Sequence, residues 1–300
     1  MSSSFKRIAI LGNPADEAAL ETVGAVVEYL ATASVEVLVS DKLPEPATSA
    51  KRSPVADDQI AGKSDLVIAI GGDGTMLYAA RQASVHNVPV LGINRGRLGF
   101  LADIKPEEIG AGIDAVLAGD FSSEKRMLLK VEILKGDKVA SAGVAVNDIV
   151  IKRRETARML EYQTIVDGIY VNTHGGDGFV AATPTGSTAY ALSCGGPIIE
   201  PSMDALVLAP ICPHTLADRP IVIPGRAIIE VRLLQNHGTN ADVSADGELI
   251  GELEAGERLR IVVADQTIEL IHPPGYDYFS VLRSKLYWGR DTRDRQPPRD

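Results

Sequence analysis

The chain has 300 residues, of which 45% are apolar and 23% charged, and its formal net charge is −10. This composition suits a globular protein with ample core, as one large domain or two ordinary ones. It excludes broad nucleic-acid binding, which needs a basic face, but not a small anionic ligand, for which a few local cations and backbone N–H groups suffice. Two cysteines, Cys194 and Cys212, make neither a disulfide framework nor a zinc pattern. Both are expected as buried thiols of a reducing, cytoplasmic compartment. Met1 to Lys6 lacks the apolar run of a signal peptide, and no stretch of about 18 apolar residues could span a membrane.

Arg7 to Gly12 is a short apolar run ending in glycine, which predicts a first strand. Ala15 to Leu30 carries Leu20, Val23, Val27 and Leu30 at helical spacing, and Val35 to Val39 predicts a second strand. Asp41 to Ala56 holds Pro44, Pro46 and Pro54 among small polar residues and reads as a loop. Asp65 to Ile70 supplies the apolar residues of a buried strand, and Met76 to Gln82 reads as the start of a helix. Val88 to Asn94 is a further strand, and Pro106 to Leu117 a further helix. Strands alternating with helices predict a parallel sheet covered on both faces, with ligands beyond the strand C-termini.

Past Phe121 the pattern changes. Leu129, Val131 and Ile133 alternate with polar residues, Lys135 to Lys138 can close a hairpin, and Asp167-Gly168 between alternating runs is a strong hairpin signal. Ala227 to Leu233, Asp242 to Leu249 and Leu259 to Leu270 continue in the same style, and Ala245 to Glu248 looks like another turn. This half predicts antiparallel β structure. Near the end Phe279, Leu282 and Leu286 mark one helix face, and the tail from Arg290 is polar and expected to fray.

Three stretches could carry chemistry. The first is Gly71-Gly72-Asp73-Gly74-Thr75, set between the apolar strand and the helix. Glycines let a backbone approach phosphate, and N–H groups at a helix start point at it. An aspartate there repels phosphate unless it holds a metal ion or takes a proton, although Asp and Gly also share ordinary turns. The Walker A pattern, G-x-G-x-x-G at the first helix and the protein-kinase motifs are all missing. The second is Asn147-Asp148, inside two runs of strand-like residues. It marks either a bulge or turn, or an amide and a carboxylate facing a ligand with hydroxyls, such as a ribose. The third runs from Asp177 to Tyr190, where Thr185-Gly186-Ser187-Thr188 packs three hydroxyls after Pro184. That suits a nucleotide better than an ordinary helix cap does. Gly175-Gly176-Asp177-Gly178 echoes the first loop but has polar neighbours. His86, His174, His214, His237 and His272 are scattered, so no protein-bound zinc is expected. Lys152, Arg153, Arg154 and Arg158 form a basic cluster that is either a solvated strand end or a contact for donor phosphates.

In these motifs the chain resembles the NAD kinases, above all the bacterial ones. The matches are Gly71 to Thr75, Gly92-Ile93-Asn94 with Leu98 to Leu101, Asn147-Asp148, Asp177-Gly178 and Ala182 to Tyr190. Gly195-Gly196-Pro197, Pro213 to Leu216 with Arg219-Pro220, and Tyr276 to Trp288 follow in the same order. GGDG alone also occurs in lipid kinases and phosphofructokinases, whereas its combination with Asn-Asp and Thr-Pro-Thr-Gly-Ser-Thr-Ala-Tyr is specific. The resemblance implies an α/β Rossmann-like domain over residues 1–122 and an all-β, sandwich-like domain over residues 123–274. It implies a segment over residues 275–300 that returns to the first domain, with the active site between the two. It implies phosphoryl transfer from ATP or polyphosphate to the 2′-hydroxyl of the adenosine ribose of NAD, with Mg²⁺ or another divalent cation carried largely by the nucleotide. Asp73 would orient or deprotonate that hydroxyl, while Gly72, Gly74 and Thr75 would admit the donor phosphates. Asn147 and Asp148 would hold the nicotinamide-side ribose. Thr185, Thr188, Ala189 and Tyr190 would shape the adenosine pocket with Asp177 nearby, and Phe100 and Leu101 would line the cleft. Many members carry Glu where this chain has Asp148. Gly175 is a position to test for NAD against NADH. A homodimer or homotetramer is expected. Competing readings are a lipid kinase of the diacylglycerol or sphingosine type, and a non-catalytic NAD-binding regulator.

Overall fold

A computed structural model describes residues 5–45, 48–95, 99–102, 104–154, 159–234 and 240–288. The motif position Leu98, the basic residue Arg158, His237 and the tail from Arg290 lie outside the described residues. The chain forms two compact units, one drawn from Met1–Ser123 and Glu269–Asp300, the other from Glu124–Ile268.

The first unit opens as alternating strands and helices. In order these are β1 (Arg7–Gly12), α1 (Glu17–Ala31), β2 (Glu36–Ser40), β3 (Ser53–Val55), α2 (Asp57–Ile60), β4 (Leu66–Ile70), α3 (Asp73–Ser84), β5 (Val90–Ile93) and α4 (Ile109–Ala118). The strands pair in parallel in the order β3-β2-β1-β4-β5. Ile8, Ile10, Ile68, Ile70 and Leu91 pack with Val23, Val27 and Leu30 of α1 in one apolar core. The side chain of Asp16 caps α1 by accepting the Ala19 N–H. The stretch read as a loop, Asp41 to Ala56, holds one correction. Ser53–Val55 is a short strand despite Pro54, and it sits at the sheet edge, where a missing N–H costs little. A second correction matters more: α3 begins at Asp73 itself, not near Met76.

The second unit is antiparallel. Its strands are β6 (Ser122–Lys135), β7 (Lys138–Ala145), β8 (Asp148–Arg153), β9 (Leu160–Val166), β10 (Ile169–Gly176) and β11 (Gly178–Ala182). After the short helix α5 (Tyr190–Ser193) come β12 (Ala205–Ile211), β13 (Ile221–Pro224), β14 (Ile229–Leu233), β15 (Ala241–Ala245), β16 (Glu248–Leu253) and the long β17 (Arg258–His272). One sheet runs β13-β12-β11-β8-β15-β16, and β10-β9-β14 continue into the first part of β17, which also pairs with β6. Leu129, Val131, Ile149, Ile151, Phe179, Val231 and Val243 fill the core between the sheets, which is therefore sandwich-like. Side chains alternate along a strand, so Val150, between Ile149 and Ile151, packs on the other side. It joins Val180, Val207, Ala191 and Ile199 in a second cluster.

The last residues of β17 belong to the first unit, where Leu270 and Ile271 extend its parallel sheet beside β5. Helix α6 (Tyr278–Leu286) follows, capped by the Asp277 side chain on the Phe279 N–H. Its buried residues are Val281 and Leu282, while Phe279 is 56% exposed, so the expected Phe279–Leu282–Leu286 face is rotated. The buried-thiol expectation also needs correcting, because Cys194 is only half-buried and Cys212 is exposed. Cys212 occupies a left-handed turn (φ 45°) just after β12 rather than the strand itself.

Candidate functional site

In the first unit the glycine loop follows β4. Gly71 has φ 155°, and a β-carbon there would lie 2.4 Å from the Thr75 hydroxyl oxygen, so no other residue fits this turn. Gly72 caps α3, and its carbonyl accepts the N–H groups of Thr75 and Met76. Gly72 and Gly74 are exposed with open space beyond them. Asp73 occupies the first turn of α3, at the positive end of the helix dipole. Its two oxygens accept the N–H groups of Phe100 at 3.2 Å and Leu101 at 3.1 Å. The carboxylate is thus held in one orientation, and each oxygen keeps a lone pair for a further donor. Gly99 makes this possible: a β-carbon there would sit 2.2 Å from the Asp73 Oδ1. Phe100 carries the Lys285 ammonium 5.7 Å from its ring centroid. A cleft of about 500 Å³ opens beside the loop, lined among others by Gly12, Asn13, Gly72, Gly74 and Thr75.

The second unit gathers the other motifs. Val146 and Asn147 form a bend between β7 and β8, which accounts for Asn147 among strand-like residues, whereas Asp148 lies in the strand. Asp246, in the two-residue turn between β15 and β16, holds this bend by accepting the N–H groups of Val146 (2.9 Å), Asn147 (2.8 Å) and Asp148 (3.2 Å). Asp246 and Gly247 have φ of 47° and 82°, the mark of a type I′ hairpin. Asp148 begins β8, pairs with Ala182 across the sheet and accepts the backbone N–H of Tyr190. Burial foremost, and then the Asp246 charge, push the Asp148 carboxyl up to about 7 against the pull of that N–H. The Asn147 Oδ1 is buried and has no hydrogen-bond partner among the described residues, an arrangement that calls for a donor from outside.

Thr185–Thr188 is a 3₁₀ turn leading into α5. Thr183 ties it to the bend, donating its hydroxyl to the Val146 carbonyl at 2.6 Å and accepting the Gly186 N–H at 3.0 Å. Ser187 spends its hydroxyl on Pro184 and Ile199. Thr188 donates to the Thr185 carbonyl at 3.2 Å, and Arg126, 2% exposed and paired with Glu124, reaches the Thr185 hydroxyl at 3.4 Å. Gly186 packs directly on Asn147, since a β-carbon would lie 2.1 Å from its carbonyl oxygen. Asn147, Asp148, Thr185, Thr188, Ala189 and Tyr190 therefore form one cluster. Asp177 stands at the opposite end of β11, in an ion pair with Arg153 (2.7 Å). Burial first, then Cys194 and Cys212, and then Asp177 and Asp148 raise the Tyr190 hydroxyl pKa. Arg153 and Arg154 of the basic cluster are committed to Asp177, and to Asp242 and Glu252. Among the described residues no three His, Cys, Asp or Glu side chains converge on a metal position.

Sequence reasoning missed Asp246, which read only as a turn, and Arg126, which carried no local signal. The Asp-Gly pair itself was visible, but its carboxylate acts on residues about a hundred positions away.

Residues 8–121 match the profile of the ATP-NAD kinase N-terminal domain and residues 146–273 that of the ATP-NAD kinase C-terminal domain. The NAD kinase of Nitrosococcus oceani is 38% identical over 290 residues, covering 97% of this chain and 99% of that protein. The NAD kinase of Thiobacillus denitrificans is 45% identical over 231 residues, covering 77% of this chain and 79% of that protein. Among solved structures, an NAD kinase from Archaeoglobus fulgidus in complex with ATP superposes with a TM-score of 0.72 at 27% identity, covering 93% of this chain and 99% of that one. Yeast NADH kinase complexed with NADH shares the fold, with a TM-score of 0.86 at 24% identity over 97% of this chain and 90% of that one.

Proposed function

The chain belongs to the NAD kinase family, and from that membership we propose that it transfers a phosphoryl group from ATP to the 2′-hydroxyl of the adenosine ribose of NAD, making NADP. One observation carries the mechanism: Asp73 lies in the first turn of α3 with its carboxylate fixed by two backbone N–H groups. Such a carboxylate can accept the proton of a ribose hydroxyl without first paying to become ordered. The exposed Gly72 and Gly74, with Thr75, receive the donor phosphates at the helix N-terminus. Phosphoryl transfer has a loose transition state, so positioning and charge neutralisation provide most of the acceleration. A divalent cation, Mg²⁺ by its affinity for phosphate oxygens, would travel on the donor and neutralise its charge beside Asp73.

On the acceptor side, Asn147 and Asp148 take the nicotinamide-side ribose, and the partnerless Asn147 Oδ1 supports this reading. Thr185, Thr188, Ala189 and Tyr190 shape the adenosine pocket, with Asp177 at its far side, and Phe100 and Leu101 line the dinucleotide cleft. The Asp148 carboxyl gives this reading a pH signature. Its folded value of about 7 lies above the ordinary value of about 3.9. The proton therefore favours the folded state. That contribution is complete below about pH 4 and is lost as pH rises to about 7. The stability difference between the native chain and Asp148→Asn should fall across this window and stay level above it, as measured by urea midpoints. A difference that is flat from pH 4 to 8 would contradict the assignment.

A homodimer or homotetramer fits the exposed apolar side chains Ile169, Tyr170 and Val171 on the edge strand β10. Sedimentation velocity tests that assembly. Two thiols and no disulfide fit a reducing compartment such as the cytoplasm. The direct assay offers NAD or NADH with ATP or polyphosphate and Mg²⁺, and reads NADP(H). Tight NAD binding without product from any donor would mark a regulator instead.

A further inference from the structure

The cleft of about 500 Å³ beside the glycine loop holds more than the loop explains. Strand order in the first unit changes direction between β1 and β4, because β2 and β3 extend to one side and β5 to the other. Open parallel sheets take ligands at that reversal, beyond the strand C-termini. Gly12 ends β1 there and Asn13 follows it, Gly72 and Thr75 follow β4, and Lys42 reaches in from just beyond β2. Lys42 is the one cation among the described residues that line the cleft.

Lys42 is exposed yet has two side-chain partners. Its ammonium lies 3.1 Å from the Asp57 Oδ2 and donates to the Tyr78 hydroxyl at 3.2 Å. Tyr78, on α3, donates in turn to the Asp57 Oδ2 at 2.6 Å, and Ser40 donates to the Oδ1. Burial alone would push Asp57 up, but these donors more than offset it and hold the carboxyl below its ordinary value. Asp57 is thus an ionised anchor, 7% exposed, and its charge offsets part of that of Lys42. An ammonium has three N–H donors, and Asp57 and Tyr78 take two, which leaves one for the cleft. A free lysine side chain loses most of its rotamer freedom on binding an anion. Here the contacts to Asp57 and Tyr78 already restrict that freedom in part, and such preorganisation raises affinity.

We propose that Lys42, positioned by Asp57 and Tyr78, binds the non-transferred phosphates of the phosphoryl donor and thereby selects donors with a linear chain of phosphates, whether on a nucleoside or free. The inference rests on the phosphotransferase reading of the glycine loop and adds a determinant that the loop does not contain. Lys42 contacts the donor, whereas Asp57 and Tyr78 act through Lys42 as positioning residues.

Steady-state kinetics with ATP and with inorganic polyphosphate at saturating NAD test it, alongside calorimetric titration of the full chain with tripolyphosphate alone. In Lys42→Met the donor KM should rise about tenfold, as for loss of one partly exposed charge-assisted contact. The KM for NAD should stay in place, and the loss should fall on donor KM more than on kcat. Tripolyphosphate should bind about tenfold more weakly, and added salt should narrow the gap from the native chain. Lys42→Arg should restore most of the affinity. Tyr78→Phe and Asp57→Asn should shift donor KM in the same direction by less. Equal tripolyphosphate affinity in the native chain and Lys42→Met would overturn the inference, as would an equal rise in the KM for NAD. An effect on ATP without one on tripolyphosphate would overturn it too. If the native chain makes no NADP from any donor while tripolyphosphate binding still depends on Lys42, the kinase reading fails and the phosphate site stands.

Discussion

Asp73→Asn should lower NADP formation by about 10²–10⁴-fold, the usual contribution of a positioned general base, while NAD still binds. Asparagine is nearly isosteric but cannot take a proton. The structure adds a second effect to be separated from the first. Both Asp73 oxygens accept backbone N–H groups, from Phe100 and Leu101. The amide that replaces one oxygen presents its own N–H groups to a donor, at a cost of about 1–3 kcal/mol. A modest fall in Tm is therefore expected together with the large fall in kcat. Calorimetry with NAD, thermal unfolding and single-turnover NADP formation resolve the two. Near-normal turnover in a folded Asp73→Asn variant would remove Asp73 as the base. Loss of folding alone would point to the backbone contacts instead.

Asp246→Ala should cost about 3–5 kcal/mol of stability and weaken NAD binding more than tenfold, although Asp246 carries no proposed contact with either substrate. The substitution strands three N–H groups, those of Val146, Asn147 and Asp148. A fully buried donor without an acceptor costs about 1–3 kcal/mol, and these three, only part-buried, stay at or below the low end of that range. Alanine is also strained at φ 47°, by about 1–2 kcal/mol. The bend that presents Asn147 and Asp148 would then lose its anchor. Asp246→Asn should be milder, because it tolerates that φ and keeps one acceptor. It also removes the charge that helps to raise the Asp148 carboxyl, so the apparent pKa of Asp148 should fall. Urea denaturation and NAD titration check both variants. An Asp246→Ala chain of unchanged stability would contradict the reading of this turn as a clamp.

The sequence made the main outlines legible wherever one physical signal dominated. The apolar run Leu66–Ile70 followed by glycines fixed the strand, the turn and the site of the loop. The alternation at Leu129, Val131 and Ile133, with Asp167-Gly168, announced the antiparallel half. Less visible was anything set by contacts distant in the chain. The first turn of α3 starts at Asp73 because the Gly72 carbonyl already accepts N–H groups, although two glycines in three residues disfavour a helix. Phe279 was expected inside by helical spacing, yet the face that α6 buries carries Val281 and Leu282. Arg126 and Asp246 could not be read locally, since their partners lie far along the chain. The same holds for Lys42, in a stretch that looked like a plain loop and whose partners are Asp57 and Tyr78.

The most direct test of the central claim is the product itself. The purified chain is incubated with NAD, ATP and Mg²⁺, and the phosphorylated dinucleotide is located by ³¹P NMR. The account predicts NADP with its new phosphate on the 2′-oxygen of the adenosine ribose. No phosphorylated dinucleotide, or a phosphate on any other hydroxyl, would contradict it.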